Sequence, residues 1–138
     1  TSSDVFEFIR NLYKEIFQRF STADMIHVGG DEVGLDCWKN DPSIQKWMKS
    51  HNIVNETELY KFFETKLLRI IGELSDENQN HNPRRPIVWQ EVFDLGILNN
   101  STTSKVIIDV WKDWDHQDEY AMFNATATGY NVLLSSCW

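Results

Sequence analysis

Residues His27-Val28-Gly29-Gly30-Asp31-Glu32 place two carboxylates directly after two glycines, at the end of a short apolar run. In a regular strand, neighbouring side chains point to opposite faces. Asp31 and Glu32 can therefore serve one pocket only if the strand breaks beside them. Gly29-Gly30 permits that break and lets the backbone approach a ligand closely. Two carboxylates that cannot ionise independently push their pKa values apart, giving one proton donor and one anion near neutral pH. That is an acid/base pair. The same residues also make an ordinary turn, with Asp31 capping a helix and Glu32 solvated, and composition leaves both readings open.

A second and third cluster repeat one pattern. Val88-Trp89-Gln90-Glu91-Val92 and Val110-Trp111-Lys112-Asp113-Trp114 each put a Trp at or near the end of a predicted buried strand. If those ends share an edge with Asp31 and Glu32, Trp89 and Trp111 wall one pocket; taken singly, each also reads as a core aromatic. Trp138 adds a third instance, while Trp38, Trp47 and Trp114 read as packing or rim residues. Six Trp, eight Phe and four Tyr suit a dense core, or a site offering flat apolar faces to a ligand such as a sugar ring. His27 reads as a core histidine, with a ligand or proton-shuttle role as the alternative. Cys37 and Cys137 form no CxxC, and His27, Asp31 and Glu32 lack zincin spacing, so neither a metal nor a cofactor is expected. Lys39, Lys46 and Lys49 fall on a solvated helical face, and Arg84-Arg85 is too short for an anion patch.

The elements that must position these residues follow from periodicity. Asp4 to Phe20 carries apolar residues at helical spacing. Met25 to Val28 reads as a buried strand. Asp41-Pro42 opens a short helix through Lys49, and Thr57 to Leu74 forms a long one with an apolar face. Ser75 to Arg85 is a polar loop. Ile87 to Val92 and Lys105 to Trp111 are the next strands, His116 to Thr128 is a helix stopped by Gly129, and Asn131 begins a fourth strand. Near-continuous apolar strands separated by helices predict an α/β architecture with a parallel sheet covered by helices. Active sites of such folds lie at the carboxyl ends of the strands. Four strands cannot close a (β/α)8 barrel of roughly 250 residues, so the sheet is open or forms about half of a barrel.

The 138 residues suit one domain, 1–138, and a formal charge of -8 gives no electrostatic footprint for nucleic acid or an anionic membrane. No apolar run approaches a membrane span. Any targeting peptide is expected to lie outside the sequence. Sequons at Asn55, Asn99, Asn100 and Asn124 favour a secretory or lysosomal compartment.

Together these residues resemble glycoside hydrolase family 20, the β-N-acetylhexosaminidases, most closely the animal lysosomal and secreted type. The resemblance rests on Asp24 to Val33, then Cys37-Trp38, then Ile87-Val88-Trp89-Gln90-Glu91-Val92-Phe93-Asp94, then Val110-Trp111-Lys112, and Gly129 to Ser135, in order along the whole chain. It implies part of a (β/α)8 barrel, from the third helix through the seventh strand. It further implies a retaining exo-enzyme acting on terminal β-linked GlcNAc or GalNAc of oligosaccharides, glycoproteins or glycolipids. In that family the substrate's 2-acetamido oxygen is the nucleophile. By the same resemblance Glu32 is the general acid/base, Asp31 holds the acetamido N–H, and Trp89 and Trp111 wall the acetamido pocket. A disulfide from Cys37 to a cysteine upstream of Thr1 is implied, not one to Cys137. The sugar-binding Arg would precede Thr1 and the acetamido-binding Tyr would follow Trp138. The resemblance is compatible with a dimer of the full-length protein. The alternative from another class is a non-catalytic N-acetyl-sugar-binding protein that keeps the Trp pocket.

Overall fold

The computed structural model describes residues 3–77, 83–98 and 105–136. Helix α1 (Ser3–Arg19) turns Phe6 and Phe17 inward, with Ile9, Tyr13 and Ile16 packed beside them. This stripe at three- and four-residue spacing meets Leu67, Ile70, Ile71 and Leu74 of the long helix α4 (Glu56–Asp76). Between them run β1 (Met25–His27), α2 (Leu35–Lys39) and α3 (Pro42–Ser50). The Asp41 side chain caps α3 by accepting from the amides of Ser43 and Ile44, and Asn55 caps α4 by accepting from Glu58. The rest of the chain is β2 (Arg85–Trp89), α5 (Gln90–Asp94), β3 (Ile107–Val110), a 3-10 turn (Trp114–His116), α6 (Gln117–Ala127) and β4 (Asn131–Leu134).

All four strands are parallel and lie in the order β1-β2-β3-β4, with His27 opposite Ile87, Trp89 opposite Asp109 and Val110 opposite Leu134. Sequential neighbours joined by helical crossovers form one arc of a barrel-type α/β sheet. The core between sheet and helices holds Val88, Val92, Ile108, Val110, Ala121 and Ala125. No helix among the described residues is long and apolar enough to cross a membrane.

The expected strand from Ile87 to Val92 is corrected in both bounds. It begins at Arg85 and ends at Trp89, where the chain turns into α5. Past the turn Val92 enters the core with no exposed surface, and Gln90 is 1% exposed. The expected strand from Lys105 to Trp111 shortens to Ile107–Val110, and α2 was not anticipated. Helix α4 runs two residues past Leu74, into the expected polar loop, to Asp76.

Arg84, dismissed above as half of a short basic pair, is 5% exposed and has a structural task. Its guanidinium donates to the carbonyls of Phe17, Phe20, Ser21 and Ala23, the ends left open where α1 finishes, and lies 4.2 Å over the Phe17 ring. Replacing Arg84 with Met removes the donor to all four carbonyls, of which Phe20 keeps the Ala23 amide. A loss of about 3 kcal/mol is expected, read as a lower urea midpoint at unchanged slope. A midpoint equal to the parent's would show that water replaces the guanidinium at no cost.

Candidate active site

The double glycine sits where β1 leaves the sheet. Val28 still pairs with β2, its amide donating to the Ile87 carbonyl. Gly29 and Gly30 then take φ values of 86° and 102°, and Glu32 follows at 46°. The first two are conformations that side chains disfavour, and the third is uncommon for a residue with a Cβ. The expected break of the strand is therefore present.

Three elements hold this turn. The Gly29 amide donates to Nδ1 of His27 at 3.0 Å, and the Gly29 carbonyl accepts from the Trp89 amide at 3.0 Å. The Gly30 carbonyl accepts the Tyr60 hydroxyl of α4 at 2.6 Å. Burial raises the Tyr60 pKa further above its already high ordinary value, helped by the carboxylates of Glu64, Glu91 and Asp31, so the hydroxyl stays a donor. Asp31 and Glu32, directly after the turn, are exposed.

Trp89 and Trp111, half-buried at the ends of β2 and β3, meet edge to face with centroids 6.3 Å apart. Trp111 makes a second such contact, at 5.4 Å, with Trp114, and the His27 ring lies 4.5 Å from Trp89. The two expected pocket residues are thus in contact, and the turn carrying Asp31 and Glu32 is bonded to the backbone of one of them. Trp114, read as a rim residue, extends the aromatic row outward and is 47% exposed. Trp38 packs against the core, and Trp47 stacks on His51. Trp138 and Cys137 lie outside the described residues, as do Asn99 and Asn100. Cys37 is exposed and has no disulfide partner among the described residues.

Two residues that the sequence did not single out set the geometry. The buried Gln90 amide oxygen accepts from the amides of Trp111 and Lys112, fixing the end of β3 to the end of β2. Its neighbour Glu91 accepts from the Trp111 indole N–H at 3.0 Å and is met by Lys112, which also reaches Asp94. The indole is therefore held at its nitrogen as well as at its ring edge.

The second is Glu64. It lies four residues after Tyr60 on the stripe that continues to Leu67 and Ile71, so its place on a buried face was the available signal. It is 2% exposed, its Oε2 has no hydrogen-bond partner among the described residues, and it borders a cavity of about 340 Å³ with Val28, Gly30, Val33, Trp38 and Tyr60. Burial pushes its carboxyl up to about 7, from 4.5. Between those two values the unfolded chain releases the proton while the fold retains it. Stability is thus full below pH 4.5 and falls as pH rises toward 7. Replacing Glu64 with Gln should flatten that slope and leave the variant about 2 to 3 kcal/mol more stable than the parent at high pH, read by denaturant unfolding at several pH values. A parent profile without this slope would overturn the assignment.

Residues 1–137 match glycosyl hydrolase family 20, catalytic domain. The chain belongs to this family. Its relatives include β-hexosaminidase A of Caenorhabditis elegans, 33% identical over 96% of this chain, and the β-hexosaminidase subunit β of Homo sapiens, 33% identical over 100%. The β-hexosaminidase subunit α of Mus musculus is 34% identical over 99%. This chain spans 22 to 24% of the length of these relatives. A crystal structure of an inactive mutant of the family 20 exo-β-N-acetylglucosaminidase of Vibrio harveyi superposes on 94% of this chain with a TM-score of 0.65. It is 23% identical, and the match covers 17% of that chain. The four-stranded arc is thus part of a family 20 catalytic barrel, and the family is one of glycosidases.

Proposed function

We propose that the protein carrying this chain is a retaining exo-β-N-acetylhexosaminidase that removes terminal β-linked GlcNAc or GalNAc from glycoconjugates by substrate-assisted catalysis. The observation that carries the reading is the Gly29-Gly30 turn, which is bonded to Trp89 and delivers Asp31 and Glu32 to the carboxyl end of the sheet. The acetamido oxygen of the substrate attacks the anomeric carbon as the bond to the leaving oxygen breaks. Glu32 donates its proton to that oxygen, and the product is a cyclic oxazolinium. Asp31 accepts a hydrogen bond from the acetamido N–H and stabilises the positive charge. Glu32, now a carboxylate, takes a proton from the water that opens the ring, and two displacements at one carbon retain its configuration. Because the nucleophile belongs to the substrate, orientation supplies much of the rate, and Trp89 and Trp111 enclose the acetamido methyl to provide it.

Four of eight barrel strands are present here, so the 138-residue chain alone is expected to be inactive. A lysosomal or secreted location is part of the proposal. The four sequons support it. The test is hydrolysis of an aryl β-N-acetylglucosaminide by the full-length protein, with the first-formed sugar followed by NMR. The β-anomer is expected first. Replacing Asp31 with Asn should lower kcat by about 100-fold or more. Initial release of the α-anomer, or binding of the sugar without hydrolysis, would overturn the reading, the latter in favour of a sugar-binding protein.

A further inference from the structure

The chemistry above uses neither Asp109 nor His27, yet both lie against its machinery. Asp109 sits on β3 opposite Trp89 and is 6% exposed, a costly place for a carboxylate without a partner. Its Oδ2 faces Nε2 of His27 at 3.6 Å, just beyond hydrogen-bond reach, and neither that Nε2 nor the Asp109 Oδ1 has a hydrogen-bond partner among the described residues, so the two buried groups answer each other only by charge and dipole. His27 belongs to β1, so the approach passes across β2 and relates three successive strand ends.

The tautomer follows from the other ring nitrogen. Nδ1 accepts the Gly29 N–H, so in the neutral ring the proton resides on Nε2, the nitrogen facing Asp109. The ring also packs on Trp89. A histidine that merely filled a core would have no need to accept from the first residue of the strained turn.

We propose that Asp109 and His27 are a positioning pair. Asp109 orients the imidazole through Nε2–H, and the imidazole fixes the Gly29 amide, holding the turn that presents Asp31 and Glu32 in register with Trp89. This rests on the reading of Asp31 and Glu32 as the working acids. Neither member of the pair touches the reacting atoms.

The side-chain oxygen of Asn overlays Nδ1 of a histidine, whereas the terminal amide of Gln reaches the position of Nε2. In the full-length protein His27→Asn keeps the acceptor for Gly29 but gives up the side facing Asp109, so its loss of kcat on an aryl β-N-acetylglucosaminide should not exceed that of Asp109→Leu, about tenfold. His27→Gln and His27→Phe should each lose about 30-fold in kcat with KM within about twofold, because a displaced turn misplaces the acids more than it weakens binding. Asp109→Leu should cost about tenfold, and Asp109→Asn, which still offers an oxygen to Nε2–H, less than threefold. Equal kcat for the Asn and Gln variants at position 27 would overturn the proposal, and that comparison decides it if His27→Phe does not fold. Parental kcat in Asp109→Leu would likewise overturn the pairing. The ¹⁵N shifts of His27 give a readout independent of turnover: the Nε2–H tautomer is expected, and the Nδ1–H tautomer would overturn the pair. A parent with that tautomer but no hydrolysis would count against the proposed function alone.

Discussion

Replacing Glu32 with Gln is expected to lower kcat on a β-N-acetylglucosaminide of a poor leaving group by about a thousandfold, with KM changed little. The amide keeps the shape of the acid and removes its proton, so the leaving oxygen must depart as an anion. The loss should shrink when the leaving group is a strongly acidic phenol, since formation of the oxazolinium then needs no proton. What remains is the second step, where water has lost its base. Measuring both kcat/KM and kcat across a series of phenols separates the two duties, since kcat/KM reports the first step alone and kcat on the most acidic phenols reports the second. A loss independent of leaving group would point to a displaced turn, and an undiminished rate would remove Glu32 from the mechanism.

The largest effect on folding is expected at Gly30. A Cβ there would collide with Cγ2 of Val92 and lie 3.0 Å from the Tyr60 hydroxyl, on a backbone already at φ +102°. Val92 has no exposed surface and cannot move aside, and the hydroxyl is committed to the Gly30 carbonyl. Gly30→Ala should therefore cost about 4 kcal/mol, combining overpacking with left-handed strain. Gly29 provides the control. A Cβ at Gly29 meets nothing within 4 Å, so Gly29→Ala carries only the strain of φ +86°, about 1 to 2 kcal/mol. Denaturant midpoints that rank the two the other way would show that the contact with Val92 relaxes. Adding Val92→Ala to Gly30→Ala should recover part of the loss, because it removes the collision and leaves the strain.

How much of this was legible in advance varies with the physical signal. Helices α1 and α4 declared themselves through repeating apolar positions, and Asp41-Pro42 marked the start of α3 because capping is a local interaction. The double glycine announced a break in β1 for the same local reason. The end of β2 did not, since Trp89-Gln90-Glu91-Val92 contains no glycine, proline or other local turn signal. At that turn the Gln90 amide oxygen accepts from the amides of Trp111 and Lys112, a side-chain bond that no local pattern announces. Arg84 and Glu64 were hidden likewise: a charged residue reads as solvated until the carbonyls or the cavity around it are known. The approach of Trp89 to Trp111 needed only parallel strands in sequence order, which the alternation of helices and strands implied.

The row from His27 through Trp89 and Trp111 to Trp114 has an optical consequence. Indoles whose centroids are 6.3 Å and 5.4 Å apart, inclined at 71° and 80°, are near enough for their ultraviolet transitions to couple and to exchange excitation energy. Under the proposed function a sugar seated against these rings is expected to alter their emission and circular dichroism, so titrating those signals would count occupied molecules without a dye, even in a variant that turns nothing over.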